Sequence, residues 1–326
     1  RGSPRRPGDV VPRRFLEAID GPEPIKAARG SGRLELAERL VDPANPLVSR
    51  VYVNRVWHHL FGRGIVASTD NFGVLGERPT HPELLDHLAS TFVADGWSTK
   101  RLIRRVLLSR TWQMDSKPAD AATEQLDPQN LLLHRQNLRR LEAEAIRDGI
   151  LAISGRLDPA VGGPSVEVYL TSFMDGRGRP GGSGPLDGAG RRSVYTRLRR
   201  NFLPPMMLAF DMPQPFNAMG RRSVSNVPAQ ALILMNDPFV VAQAKLWAKR
   251  VADDKTLATP EQRIDRMYRH AFARPPTADE VAAALGFLDE QGMQREVPEA
   301  KRRDDARGWE DLAHVLMNVK EFVYVP

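Results

Sequence analysis

The sequence predicts a mainly α, multi-helical protein with a small irregular β and loop insert in the middle. Apolar residues recur at helical spacing in the first and the last parts of the chain, and capping residues precede several of these runs. The segment between them is rich in glycine, proline and serine and lacks this spacing. With 326 residues, the chain is long enough for about two domains or one large one.

The N-terminal part begins with a predicted extended arm over residues 1–30, where five prolines lie among glycines and serines. The helices predicted after it are 31–41 with Ser31 as N-cap, 47–61 ended by Gly62, 80–92 opened by a capping box at 80–83, 98–107 capped by Ser98, and 140–154 ended by Gly155.

The predicted insert covers residues 156–227. It contains a run at 176–190 dominated by Gly, Pro, Ser and Asp, which predicts a flexible loop, and then a strand at 192–203 that Pro204 and Pro205 end. Helices are predicted again at 228–235, 238–251, 259–272, from a capping box at 277–280, and at 305–322.

Charge and cysteine content exclude several classes of function. The net charge is +7, but arginine pairs recur along the whole chain and the 40 carboxylates nearly balance the 47 basic residues, so a nucleic-acid partner is not predicted. The absence of cysteine excludes a disulfide, a thiolate metal site, a Cys nucleophile and a covalently attached c-type haem.

No run approaches the roughly 20 apolar residues of a membrane-spanning helix. The chain starts at Arg1 without a targeting pattern, so we expect any such segment upstream and interpret the chain as a fragment or processed product.

No catalytic signature is present. The sequence lacks a nucleophile elbow, a phosphate-binding loop, a zinc-protease motif and a dinucleotide fingerprint, so the catalytic residues stay unknown and neither a metal site nor a cofactor is predicted. His58 and His59 are adjacent on a helix and point to different faces, which disfavours a shared metal.

A first polar group lies inside the apolar helix 47–61. Asn54 and Arg55 precede His58 by about one turn, beside Trp57. Buried polar groups must be satisfied, so this group forms either a structural network or a binding site.

A second, denser group lies between residues 192 and 236, among three phenylalanines that include Phe216. Amide, guanidinium and carboxylate groups beside aromatic rings suit a polyhydroxylated or anionic ligand, although the same groups could instead fix irregular loops. The candidate ligand-binding residues here are Arg192, Arg199, Asp211, Arg222, Gln230 and Asn236.

Several long segments together resemble a planctomycete-specific domain of unknown function. The matching segments, in chain order, are 31–37 (SGRLELA), 45–64 (NPLVSRVYVNRVWHHLFGRG), 80–86 (THPELLD), 140–148 (RLEAEAIRD), 162–166 (GGPSV), 192–195 (RSVY), 210–211 (FD), 228–232 (PAQAL) and 318–324 (NVKEFVY). The resemblance implies that 31–326 form one family domain, made of a helical part 31–155, the insert 156–227 and a helical part 228–326.

The resemblance also implies which domains accompany this one in a larger protein. Such domains are typically C-terminal to a planctomycete cytochrome c-like domain and a second uncharacterised domain in large exported proteins, which implies a periplasmic or cell-surface location. Many relatives have a cysteine a few residues after the Phe-Asp motif, where this chain has Ala218, so a thiol-dependent role is not expected.

Two functions follow as expectations. The first is an extracytoplasmic scaffold or ligand-binding module, for a saccharide or another polar ligand, within a cytochrome-associated exported protein. The alternative is a secreted carbohydrate-active enzyme that uses Asp211 as a catalytic carboxylate, with Asp70 as its partner, since glycosidases need two carboxyl groups roughly 5–9.5 Å apart. Electron transfer could involve only a partner domain that docks on this one.

Overall fold

The computed structural model describes residues 5, 8–26, 30–216 and 219–325. Part of the predicted arm and Ala218 therefore lie outside the described residues. The protein is mainly α, as predicted, and its only sheet among the described residues has two short strands. The chain divides into two compact units, Arg1–Asn137 and Leu138–Pro326, a boundary that the sequence analysis does not draw.

The first unit is built around one long helix and two shorter ones that follow it. Its helices are α1 Glu17–Asp20, α2 Arg33–Val41, α3 Pro46–Phe61, α4 Pro82–Ala94, α5 Thr99–Leu107 and α6 Ala121–Leu126. Val53, Trp57 and Phe61 lie one turn apart on α3 and are buried against apolar residues of α4 and α5. Gly62 ends α3 in the left-handed conformation, as predicted.

Two N-terminal caps differ from the prediction. Helix α2 has Gly32 rather than Ser31 at its N-cap. The predicted capping box at 80–83 is also absent, because α4 has His81 at its N-cap without a side-chain bond. The backbone N–H of Thr80 instead donates to the carbonyl of Ile65 over 2.9 Å, so Thr80 ties a loop rather than a helix end. The predicted cap at Ser98 is confirmed.

The second unit contains the remaining helices and the sheet. Its elements are β1 Arg139–Arg140, α7 Ala143–Ser154, α8 Pro205–Ala209, α9 Pro228–Asn236, α10 Pro238–Ala252, α11 Pro260–Phe272, α12 Ala278–Gln294, α13 Ala306–Asn318, α14 Lys320–Val323 and β2 Tyr324–Val325. Ile146 and Ile150 of α7, Trp247 of α10 and Met317 of α13 are fully buried in one core. The predicted helix 140–154 begins only at Ala143, because Arg139 and Arg140 pair antiparallel with Val325 and Tyr324.

The insert is irregular, but the strand predicted at 192–203 is wrong. A 3₁₀ turn occupies Ser193–Tyr195, and a single parallel bridge joins Thr196 to Val166. The backbone N–H of Ser193 donates to the Asp148 carboxylate of α7 over 2.7 Å. Its hydrogen-bond partner is therefore a side chain and not the backbone of a neighbouring strand. A small third core of Val168, Leu170, Met174 and Phe202 lies under this segment.

At the C-terminus, the predicted helix 305–322 is divided at Val319 into α13 and α14. The capping box predicted at 277–280 is confirmed at the start of α12. Among the described residues, no helix combines the length and the apolar character that crossing a membrane requires.

Candidate functional site

The polar group predicted on α3 contains a structural amide. Asn54 is fully buried; its Nδ2 donates to the carbonyl of Val66 over 2.9 Å, and its Oδ1 accepts from the N–H of Val66 over 2.8 Å. A Cβ at Gly64 would lie 2.8 Å from Nδ2 of Asn54, so only glycine allows this approach. Arg55 is exposed, and His58 is half-buried with its ring beside that of His59. Asn54 therefore fastens the loop after α3 to the helix.

In the second unit, the charged face that starts at Arg140 and continues along α7 holds much of the insert. We call this cluster the α7 network; it comprises Arg140, Glu144, Arg147 and Asp148 with their partners Ser193, Asp211, Arg222 and Ser225. Six of its members belong to segments that carry the family resemblance: Arg140, Glu144, Arg147, Asp148, Ser193 and Asp211. These segments meet in space because Arg140, Glu144 and Asp148 recur at every fourth position and contact the insert.

Asp211 lies at one end of the α7 network, with both carboxylate oxygens engaged. Nη2 of Arg140 donates to Oδ2 of Asp211 over 2.7 Å, and the N–H of Ser225 donates to the same oxygen over 2.8 Å. The Ser225 hydroxyl donates to Oδ1 over 2.9 Å. Burial raises the pKa of Asp211, but the bonds from Ser225 and Arg140 outweigh it and hold the pKa below its ordinary value. The carboxylate is therefore charged and committed to the fold.

Gln230 contacts the α7 network through Ser225, and Arg222 belongs to the network through Glu144. Nε2 of Gln230, which is buried, donates to the carbonyls of Ala209 and Ser225 over 3.1 and 3.2 Å. Arg222 donates to both oxygens of Glu144, over 2.6 and 3.1 Å. Burial lowers the pKa of Arg222, but Glu144 more than compensates, and the pKa lies above its ordinary value.

Arg147 is a buried charge in the middle of the α7 network. Its Nη1 donates to the carbonyl of Arg191 and to the Ser193 hydroxyl, and its Nη2 donates to the carbonyl of Asp187 over 2.8 Å. Burial lowers its pKa, against the opposing effect of Asp148 and Asp187. Gly188 has a positive φ of 59°, and a Cβ there would overlap Nη2 of Arg147.

The remaining three predicted residues lie apart from one another. Exposed Arg192 has its Nε 3.7 Å from Oδ2 of Asp148. Arg199 donates to both oxygens of Glu167 over 3.0 Å. Asn236 is exposed and donates to the carbonyl of Leu232 in its own helix over 2.8 Å. No common site among the described residues gathers these three side chains with Asp211.

Beside the α7 network lies a cleft made of two adjoining pockets, an outer and an inner one. The outer pocket has a volume of about 390 Å³, within the range of small-molecule sites. Phe173 and Phe216 line it and expose 95% and 63% of their surface. Asp175, Arg200, Asn201 and Gln214 line it as well.

The polar side chains of the outer pocket are largely uncommitted. Those of Arg200, Asn201 and Gln214 are exposed and make no hydrogen bond or ion pair with the rest of the described chain. Asp175 accepts a bond only from the N–H of Gly176, and Nη1 of Arg179 lies 3.9 Å from it. These groups can therefore bind a ligand without breaking the fold.

The inner pocket is smaller and more enclosed, with a volume of about 70 Å³. It shares Thr171 and Pro205 with the outer pocket, so the two pockets adjoin, and we call them together the cleft. Its apolar wall is formed by Met206, Met207 and Phe239. Thr171 and Thr196 also lie in its lining. Their hydroxyl oxygens are buried and have no hydrogen-bond partner among the described residues.

The charged groups of the inner pocket are held by the protein itself. Glu167 is bound by Arg197 and Arg199, and Asp237 accepts from the N–H of Phe239 at the start of α10. Burial raises the pKa of Asp237 above its ordinary value, against the opposing effect of the amides of Phe239 and Val240. Arg147 reaches the same lining.

Sequence reasoning names Phe216 beside its candidates but misses Phe173, Thr171 and Thr196. Phe173 is an aromatic residue in a segment without helical or strand periodicity, and this is the one signal that could have indicated it. The threonines carry no such signal, because their lack of partners arises from packing alone. Asp211 lines neither pocket of the cleft, and its catalytic role stays a prediction.

No group of three or more His, Cys, Asp or Glu side chains in the described part of the chain is arranged to hold a metal ion. The lack of cysteine excludes covalent c-type haem in this chain.

Residues 32–288 match the PSD1 family, described as proteins of unknown function (DUF1553). No curated protein and no solved structure matches the chain.

Proposed function

Since the chain belongs to the PSD1 family of proteins of unknown function, we propose its role from its own geometry: it is a saccharide-binding module, and the cleft is its binding site. The observation that carries the proposal is the pair of exposed phenyl rings, Phe173 and Phe216, around an outer pocket whose polar side chains are uncommitted. An exposed phenyl ring loses the hydrophobic free energy of burial until a partner covers it.

Saccharides fit this chemistry better than purely apolar or purely ionic ligands. The C–H groups on one face of a sugar ring carry partial positive charge and pack on the negative face of a phenyl ring. The sugar hydroxyls both donate and accept, which suits the mixed set of Asp175, Arg200, Asn201 and Gln214.

The α7 network supports the cleft and contributes one residue to its lining. Arg147 belongs to both the α7 network and the inner pocket, and Arg199 braces Glu167 in the same lining. A cleft that is fixed before the ligand arrives saves the ordering entropy that a loose one would cost.

The wider setting is also a proposal. From the resemblance of the motif segments, we infer that the chain belongs to a large exported planctomycete protein, at the periplasm or cell surface. Its partners there are an upstream cytochrome c-like domain, a second uncharacterised domain and a polysaccharide. The module would anchor that assembly to its polysaccharide.

The test is titration calorimetry and thermal melting of the chain with neutral and sulfated oligosaccharides, with DNA as a charge control. A specific saccharide at 100 times its dissociation constant should add about 2.7 kcal/mol of stability. Phe173→Ala should lower its affinity about fivefold to tenfold through the lost ring contact. The unfolding free energy should change by less than about 0.5 kcal/mol, because the ring is exposed in the free protein.

Leu232→Ala is the matched control, since it removes an exposed apolar side chain of α9 that is not in the lining of the cleft. Shifts with every polyanion that disappear at high salt would trace to the arginine-rich surface. Such shifts, or equal loss of affinity in Phe173→Ala and Leu232→Ala, would refute the proposal.

The enzymatic alternative can be separated in the same samples. A carbohydrate-active enzyme would release shorter saccharides during the titration, and Asp211→Ala would abolish the release. A binding module would return the oligosaccharide intact.

A further inference from the structure

The lining of the outer pocket contains a charge that the protein leaves unpaired. The charged side chains of this lining are Asp175 and Arg200. Asp175 has a cation beside it, since Nη1 of Arg179 lies 3.9 Å from its carboxylate. Arg200 is exposed and makes no hydrogen bond or ion pair with the rest of the described chain. Within the described residues, the outer pocket therefore offers a ligand a free positive charge.

The chain around the cleft adds to this positive charge. Segments 165–179 and 197–203, which carry most of the outer lining, contain five arginines and two carboxylates. One of these carboxylates, that of Glu167 in the inner pocket, is bound by both Arg197 and Arg199. Its negative charge is therefore more than offset. An anionic group in the cleft would lie within the roughly 8 Å over which such charges act at physiological salt.

The free guanidinium group favours a carboxylate over a phosphate. The planar donors of arginine match the two oxygens of either anion and bind them together. A phosphate group carries a charge of about −1.5 to −2 at neutral pH, and it would enter a pocket whose lining also contains Asp175. A carboxylate carries a single charge, so that side chain repels it less.

The other side chains of the outer pocket suit the sugar ring that would carry the carboxylate. Phe173 and Phe216 expose their rings to its apolar face. The amides of Asn201 and Gln214 can both donate to and accept from its hydroxyls. Resting on the proposed saccharide binding, we propose that the outer pocket binds a uronic acid unit whose carboxylate pairs with Arg200, so that the module prefers acidic polysaccharides.

The experiment compares four β-1,4-linked tetrasaccharides that differ only at C6: those of glucuronic acid, its methyl ester, glucose and glucose 6-sulfate. Titration calorimetry at physiological ionic strength measures their affinities. The ester keeps the carbonyl group of the acid but removes its charge. We expect the acid to bind about tenfold more tightly than the ester and the glucose tetramer, the effect of one charge-assisted pair. It should also bind more tightly than the sulfate, which lacks the planar pair of oxygens.

Two variants of Arg200 test its part in this preference. Arg200→Gln should lower the affinity for the acid about tenfold and leave the affinity for the ester unchanged. Arg200→Lys keeps the charge but loses the two-pronged geometry, and should lower the affinity for the acid about threefold. Because Arg200 is exposed and unpaired, both variants should melt at the temperature of the unaltered protein.

Arg177→Gln is the matched control. Arg177 is an exposed arginine of the same insert, makes no hydrogen bond or ion pair with the described chain and lies outside the lining of both pockets. Its replacement should change the affinity for the acid by less than about twofold, since an exposed charge outside the site is screened by salt.

Three results would overturn the inference: equal affinity for the acid and its ester, equal or tighter binding of the sulfate, or equal loss of affinity in Arg200→Gln and Arg177→Gln. The last result would trace the preference to the diffuse charge of the surface. Binding of the glucose tetramer in the same series would leave the proposed function standing. If no tetramer binds, the inference fails, whereas the proposed function fails only if the wider set of oligosaccharides in its own test also gives no binding.

Discussion

The α7 network and the outer pocket both include side chains of the insert, and of the same kinds, but they use them in opposite ways. In the α7 network, Asp211 and Arg222 are paired with partners in the chain. In the outer pocket, Arg200, Asn201 and Gln214 have no partner among the described residues, and two phenyl rings are exposed. The difference teaches that polar residues beside aromatics do not by themselves mark a site. What marks it is whether their hydrogen-bonding capacity is still free.

The largest expected effect concerns the α7 network, whose side chains are already paired. Asp211→Ala should lower the free energy of unfolding by about 3 kcal/mol, because it leaves the buried guanidinium of Arg140 without its counter-ion. Asp175→Ala, the matched change in the outer pocket, should alter it by less than about 0.5 kcal/mol, since that carboxylate is exposed. Denaturant unfolding of both variants measures the contrast. Equal destabilisation would break the comparison.

The next effect concerns how the α7 network is packed. Gly188→Ala should cost about 2 kcal/mol, because the new methyl group meets Arg147 and alanine is strained at positive φ. Gly182→Ala, in the same loop, meets nothing within 4 Å and should be nearly neutral. Thermal melting of the two variants gives the answer. A neutral Gly188→Ala would mean that Arg147 is not fixed as described.

The smallest effect concerns an ion pair that is committed but half-exposed. Arg274 donates to both oxygens of Glu280, and this bond is the main cause that lowers the pKa of Glu280 from 4.5 to about 2. A lowered folded pKa means that the stabilisation is complete above pH 4.5 and is lost as the pH falls toward 2. Solvent screens the pair, so we expect about 1 kcal/mol.

The measurement is the unfolding free energy of the protein and of Glu280→Gln between pH 6 and pH 2. The difference between them should shrink as the pH falls, and added salt should reduce it at pH 6. A difference that stays constant over this range would show that the ion pair contributes nothing. Comparison of this change in unfolding free energy with that of Asp211→Ala then shows how much burial adds to the contribution of an ion pair.

The sequence by itself determined the mainly α class and most helix positions. Local rules decide these features: apolar spacing on α3, the left-handed stop at Gly62 and the capping box at Thr277 each depend on a few neighbouring residues. The sequence also singled out six polar candidates between residues 192 and 236, but none of them lines the cleft. It could not say which of them were already satisfied.

Only the tertiary structure decided that question. Asp211 is engaged by Arg140, which lies 71 positions away, and Ser193 by Asp148, which lies 45 positions away. The bond between Ser193 and Asp148 also accompanies a turn at Ser193–Tyr195, where the sequence predicts a strand over 192–203. Thr171 and Thr196 lie in the lining of the inner pocket only because distant segments of the chain meet there. Hydrogen-bond satisfaction is a property of packing between distant segments, and local sequence patterns do not contain it.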